Sequence, residues 1–254
     1  MSNSLDDQQQ WLALAERAAL SAGEALRRRS AAWTEVTEAR GRDVKVAADR
    51  MAEGIILPIL ESGPPFAILS EERGWSGAEN DRAWIVDPLD GSANYARGIP
   101  LSAVSIALVD GRDPILGVVY DFSADELYAG IVGDGCRRNG QAIEVSAVDR
   151  MDAGILMTGL PARRDVSPPS MADLASELAR WRKVRMIGSA ALAVAYVAAG
   201  RADAYREEGT MFWDVAAGCA LVRAAGGHVA MSDGPRNEAM TVVAHNGRLH
   251  DLTL

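Results

Sequence analysis

Trp84-Ile85-Val86-Asp87-Pro88-Leu89-Asp90-Gly91-Ser92-Ala93-Asn94-Tyr95 is the stretch on which the reading of this 254-residue chain turns. Trp84–Val86 is apolar and reads as a buried strand that delivers Asp87 to its end. Pro88 holds its own φ and keeps Asp87 out of the helical region, so the strand is expected to stop there. Asp90 follows closely, and a tight turn between the two aims both carboxylates into one pocket. The Leu89 carbonyl is then an additional oxygen ligand. Gly91-Ser92 opens a short helix whose unsatisfied N–H groups suit a phosphate. Carboxylates, a carbonyl and an anion site this close together point to metal ions that bridge protein to phosphate.

Two further acidic sites lie outside that stretch. Glu71-Glu72 follows the apolar run Phe66–Leu69, again at a strand end, and Asp214 follows Trp213 at the start of a helix, where the dipole favours a carboxylate. Taken singly, each has an ordinary reading: a solvated turn for the Glu pair, an N-cap for Asp214, turn acids for Asp87 and Asp90. Taken together, three element ends each carry an acid beside an apolar anchor, which favours one shared site.

The rest of the chain supplies the scaffold. Trp11, Ala15, Ala18, Ala22 and Leu26 recur at helical spacing in the first thirty residues. A second helix is expected from Asp43 as N-cap, with Val44, Ala47, Met51 and Ile55 on one face. Strands are expected at Ala103–Val109, Ile115–Phe122, Glu126–Val132 and Ile143–Val145, the last after a hairpin turn at Asn139-Gly140. Beyond them, Ile155–Gly159, Val184–Ile187, Asp203–Tyr205, His228–Ser232 and Met240–Ala244 read as strands. Ala190–Ala199 and Trp213–Ala225 read as helices, the second stopped by Gly226-Gly227. Pro161, Pro168 and Pro169 mark 161–170 as a loop or linker. This order predicts an α/β (α+β) layered sandwich. Residues 1–147 would form a mostly antiparallel α+β lobe and 148–254 a smaller α/β lobe, the two making one catalytic unit.

Composition narrows the function classes. Acids outnumber bases by 35 to 26, a formal charge of −9, which argues against a nucleic-acid scaffold with its demand for a basic face. Cys136 and Cys219 are the only cysteines and are expected to be small buried apolar residues, so neither a disulfide framework nor a Cys-rich zinc site is available. The apolar run Met186–Gly200 is too short to cross a bilayer, and the polar, acidic MSNSLDDQQQ start is unlike a secretion signal. A soluble cytoplasmic protein without membrane partners is expected.

The arrangement resembles the inositol monophosphatase family, part of the magnesium-dependent, lithium-sensitive phosphatase superfamily that includes fructose-1,6-bisphosphatase. The D-P-[IL]-D-G-[TS] motif stands as Asp87-Pro88-Leu89-Asp90-Gly91-Ser92, the upstream element as Ser70-Glu71-Glu72, and the downstream W-D as Trp213-Asp214. Ala103–Leu108 and Gly188–Leu192 agree as well, so the likeness runs from about Leu12 to Asn246. The resemblance implies an αβαβα fold and the hydrolysis of a small phosphate monoester, inositol monophosphate or a related polyol or sugar phosphate. It implies Glu71, Asp87 and the Leu89 carbonyl around one Mg²⁺, and Asp87, Asp90 and Asp214 around a second. A third ion would lean on Glu71, and Mn²⁺ is a possible substitute; all-oxygen ligands favour these ions over zinc. Asp49, Glu71 and Ser92 are the implied catalytic residues. Asp90, Gly91, Ser92, Gly188, Ser189, Ala190 and Glu207 are the implied substrate contacts. A homodimer is implied by analogy with the family.

Departures from the family pattern are specific. Its D-x-V-T-x-x-D reads Asp43-Val44-Lys45-Val46-Ala47-Ala48-Asp49, with Val46 for the usual Thr and Lys45 before it, which weakens the case for the third ion. Glu38 stands where a basic residue is common, with Arg40 and Arg42 close by, and Ala193 stands where many relatives carry an acid. Tyr95, Arg97, Arg163, Arg164 and Arg185 are candidates to face a cleft, without a catalytic role. Alternative readings keep the chemistry on fructose 1,6-bisphosphate, histidinol phosphate, a nucleotide or a specialised-metabolism phosphate, or replace it with a low-turnover binding protein.

Overall fold

The structure, a computed structural model, describes residues 4–40, 43–77, 81–161, 165–233 and 238–254. Helix α1 (Leu5–Arg27) buries Ala15, Ala18, Ala22 and Leu26 of the face expected from its spacing; Trp11 is half-buried, and Leu12 takes the fully buried place beside it. A hairpin follows, β1 (Val36–Arg40) and β2 (Asp43–Val46), then α2 (Ala47–Glu61). Asp43 therefore begins a strand, and the second helix starts four residues later than expected. The reason is cross-strand pairing: β2 satisfies its backbone against β1, with Lys45 opposite Glu38 and Val46 opposite Val36.

Strands β3 (Ala67–Ser70), β4 (Gly74–Ser76) and β5 (Arg82–Asp90) come next, then the short helix α3 (Ser92–Arg97). β6 (Ala103–Asp110), β7 (Asp113–Asp121), β8 (Glu126–Ile131), β9 (Gly135–Arg138) and β10 (Gln141–Ile143) run on as an antiparallel meander. Among the described residues these form an eight-stranded sheet in the order β10-β9-β8-β7-β6-β5-β3-β4. Only β3 and β5 pair in parallel there. The strand expected at Ile143–Val145 is displaced to β10 because the Asn139-Gly140 turn pairs Gln141 with Arg138.

The remaining chain gives β11 (Ile155–Met157), α4 (Pro168–Leu178), β12 (Lys183–Arg185), α5 (Ala190–Ala198), β13 (Ala204–Met211), α6 (Phe212–Ala224), β14 (His228–Asp233) and β15 (Ala239–His245). Its strands make a five-stranded sheet in the order β12-β11-β13-β15-β14. The last three residues of the stretch expected as a linker, 168–170, are thus the start of α4. Pro168 sits in its first turn, where a missing N–H and a fixed φ cost nothing.

Side-chain alternation sets the layers. Along β5, Trp84 and Val86 pack with α1 and α2, whereas Ala83 and Ile85 face α5 and α6 on the other side. The second core continues through α5 and α6 to Tyr205, Met240, Val242 and Ala244 of the smaller sheet. That sheet turns Leu156, Ala204 and Val243 outward onto Trp181, Leu249 and Leu252, with Leu178 of α4 packed against them. The order is helix, sheet, helix, sheet, helix, the expected αβαβα sandwich. A sheet covered on both faces reads as continuous apolar runs, which is why Trp84–Val86 carries no polar alternation. Among the described residues no helix is long and apolar enough to cross a membrane. Cys136 and Cys219 are buried and unbridged.

Candidate active site

Asp87 and Asp90 lie an odd number of residues apart, so on a regular strand they would face opposite sides of the sheet. β5 continues past Asp87 instead of stopping. Asp87 pairs with Ser105 and Asp90 with Ala103, so β5 holds one residue more than β6 over this interval. This β-bulge at Pro88-Leu89 returns both carboxylates to one side and is a place where a strand accepts proline. The Leu89 N–H donates to Asp87 Oδ1 at 3.0 Å, which pins the bulge. Gly91 then turns the chain with φ +88°; a Cβ there would also meet the Leu101 carbonyl oxygen at 2.8 Å.

The neighbouring acids arrive by distinct routes. Ser70 pairs with Val86 across the parallel β3–β5 ladder, and the Glu71 N–H donates to the Val86 carbonyl at 3.1 Å. Glu71 is thereby set beside Asp87. Asp49 and Asp214 each occupy the first turn of a helix, α2 and α6, where orphan N–H groups and the dipole favour a carboxylate. Asp49 Oδ2 accepts from the Val46 N–H at 2.6 Å, and Asp214 Oδ2 accepts from the Met211 N–H at 3.1 Å.

Two carboxylate clusters result. Asp87, Asp90 and Asp214 bring ligand oxygens within 4.8 Å of one another, as do Asp49, Glu71 and Glu72. Both open on or lie behind a cavity of about 430 Å³. Glu71, Asp87, Leu89, Asp90, Gly91, Ser92, Gly188, Ser189, Ala190, Glu207 and Asp214 all line it. Asp49 sits behind Ser92, whose hydroxyl donates to Asp49 Oδ1 at 2.6 Å and lies 3.0 Å from the Leu89 carbonyl oxygen. Asp90 Oδ2 accepts from the Ser189 hydroxyl and, at 2.8 Å, from the Ala191 N–H, so it also anchors the start of α5. Glu207 is buried within β13, not on a solvated turn, and accepts from the Tyr205 hydroxyl.

Burial raises Asp49, Glu71, Asp87, Asp90 and Asp214, and neighbouring acids add to it for all of these but Asp90. Burial pushes Asp49 and Asp90 up to about 6, against their bonds to Ser92 and Ser189. Burial also lifts Glu71 to about 7, with Lys45 pulling the other way. Asp87 and Asp214 stand well above the usual carboxylate range, from burial first and then from the acids around them. Carboxylates this crowded take up protons unless cations neutralise them.

Some cavity residues escaped the sequence reading. Thr158 and Thr210 line it, and Lys45, noted in the sequence only as a departure from the family pattern, reaches into it from β2. Thr158 directly follows β11, so the strand-end logic applied to acids would have found a hydroxyl too. Tyr95 is buried elsewhere, its hydroxyl donating to the Leu26 carbonyl at 2.9 Å. Arg97 and Arg185 are exposed and away from the cavity. Arg42, Arg163 and Arg164 lie outside the described residues.

The layered fold and its oxygen-lined acidic cleft define a hydrolase scaffold built around cations. The model of the inositol monophosphatase family matches residues 7–254, and the chain belongs to that family. As a member it is a phosphatase acting on phosphate monoesters with a divalent metal. It is 38% identical over 259 residues to the inositol-1-monophosphatase of Synechocystis sp., covering 97% of this chain and 88% of that protein. It is 38% identical over 221 residues to the Nus factor SuhB of Escherichia coli K12, covering 85% and 82%. Among solved structures, the inositol monophosphatase of Anabaena superposes with a TM-score of 0.84 at 37% identity, covering 96% of this chain and 94% of that one.

Proposed function

We propose that this chain releases phosphate from inositol monophosphate or a closely related polyol or sugar phosphate. It would use two divalent ions, Mg²⁺ by preference. The observation that carries the reading is the convergence of Asp87, Asp90, Asp214, Glu71 and the Leu89 carbonyl on one cavity. The donor set fits hard cations, being all oxygen, and burial followed by the neighbouring acids raises Asp87 and Asp214. Glu71, Asp87 and Leu89 would hold one ion, and Asp87, Asp90 and Asp214 the other. When bound, such ions supply Lewis-acid activation of water and neutralise charge on the phosphoryl group.

The chain's own groups do the rest. Ser92 Oγ, bonded to Asp49, accepts a hydrogen bond from the attacking water and relays a proton to Asp49 Oδ1. Asp49 is suited to that role by a value of about 6. The amides of Gly91 and Ser92 bind phosphate oxygens. Glu207, with Gly188, Ser189 and Ala190 on the adjoining wall, orients the hydroxyls of the alcohol. The lobes 1–147 and 148–254 act as one unit, because the proposed ligands are divided between them. Lithium sensitivity, a homodimer and a cytoplasmic location belong to the same reading, carried by family membership.

A phosphate-release screen over a panel of monophosphates, with Asp90→Asn as control, tests this. The substrate expected to lead is a polyol or sugar monophosphate, and Asp90→Asn should lose about a hundredfold or more while staying folded. Near-normal turnover by Asp90→Asn at saturating Mg²⁺ would sink the two-ion reading. The relatives named Nus factor favour a second reading, a binding protein with little turnover; absence of phosphate release from every ester in the panel would support it.

A further inference from the structure

The Asp49–Glu71–Glu72 cluster has a cation of its own. Lys45 Nζ lies 2.5 Å from Glu72 Oε1 and 3.5 Å from Glu71 Oε1. The ligand oxygens of the three acids lie within 4.8 Å of one another. An ammonium at those distances occupies the space a metal ion would need. Its delivery follows from strand alternation: Val46 on β2 is buried in the core with α1 and α2, which turns Lys45 to the opposite face and into the cavity. Arg50 adds a weaker contact, Nε to Glu72 Oε2 at 3.8 Å. A divalent ion entering this corner would meet that fixed charge at contact distance, with its carboxylate partners already engaged.

We infer that the Lys45 ammonium serves as a built-in cation in the Asp49–Glu71–Glu72 corner, so that this chain takes two divalent ions and excludes a third. The inference rests on the metal reading of the Asp87–Asp90–Asp214 pocket and says which neighbouring corner needs no metal. It also makes Lys45 a positioning residue for Glu71, through the ion pair that orients this proposed ligand.

Mn²⁺ titrated into the metal-free whole chain, with free ion counted by electron paramagnetic resonance, tests it. Wild type and Lys45→Arg should bind two Mn²⁺ per chain. Lys45→Met should bind three, the third about tenfold or more tighter than any further binding to wild type. Lys45→Gln gives the same reading should Lys45→Met fail to fold. Wild type binding three ions, or both neutral variants binding no more than wild type, would overturn the inference while leaving the phosphatase reading intact. Asp90→Asn that binds Mn²⁺ like wild type would instead overturn the metal reading and the inference with it.

Discussion

Ser92 and Asp49 are separated by 43 positions in the chain, yet a 2.6 Å hydrogen bond joins them behind the cavity wall. The bond gives the serine hydroxyl a defined direction that its unbranched side chain would otherwise lack. If the two relay one proton, each is useless without the other. Ser92→Ala and Asp49→Asn are each expected to lower kcat by about 10²–10⁴. The double variant should fall little further, because groups acting as a unit are non-additive. Steady-state phosphate release decides it: single losses that multiply in the double variant would mean independent roles. Nothing in the local sequence of Asp49 separates it from a surface acid on an amphipathic helix. Only the family pattern promoted it, and burial at 1% exposure is a property of the packed state.

Among the elements, β5 shows how local rules succeed and where they stop. Its apolar run, its proline and its two acids were legible in order, but the outcome at Pro88 was a bulge where a strand end was expected. Local sterics allow both; pairing with β6 on either side of Pro88 selects the bulge. The Asp43 helix start failed for a related reason, since the competing partner, β1, lies earlier in the chain and pairs with Asp43–Val46. Helix α6 illustrates packing that no local pattern reveals. It crosses β7 so closely that a Cβ on Gly117 would meet the Ala217 carbonyl oxygen at 2.3 Å. Gly117→Ala should therefore destabilise the fold by about 1–3 kcal/mol, as overpacking does. Urea unfolding followed by circular dichroism measures this, and an unchanged midpoint would refute the close crossing.

For the molecule as a whole, stability and metal binding are linked through the raised carboxyls. Asp49 and Asp90 at about 6 and Glu71 at about 7 bind more protons folded than unfolded in mildly acidic solution. Their contribution is present below the ordinary carboxylate range and is lost as pH rises through 6 to 7. Metal ligands must be deprotonated, so added Mg²⁺ should offset that loss and do so most at the higher pH. The Mg²⁺-induced rise in Tm should be larger by about 5 °C or more at about pH 7.5 than at about pH 5. Differential scanning calorimetry with and without chelator tests the linkage, and a rise independent of pH would contradict it.

Covalent order settled a good deal here. Acids at the ends of apolar runs, glycine beside the second of them, alternation along strands and periodicity along helices are local features, fixed within a few residues. They were sufficient for the layered α/β class and for the acids and turn at 87–92 that line the cavity, whereas Gly188, Ser189, Ala190 and Glu207 were reached only through the family likeness. The formal charge of −9 looked like a bulk property; folding concentrates part of it in two carboxylate clusters. That concentration depends on contacts between distant segments: Glu71 beside Asp87 through a parallel ladder, Asp214 brought over by α6, and Lys45 by a hairpin. Such contacts are chosen by register and by which faces bury together. Their energy is spread over two packed cores, and no window of a few residues contains it.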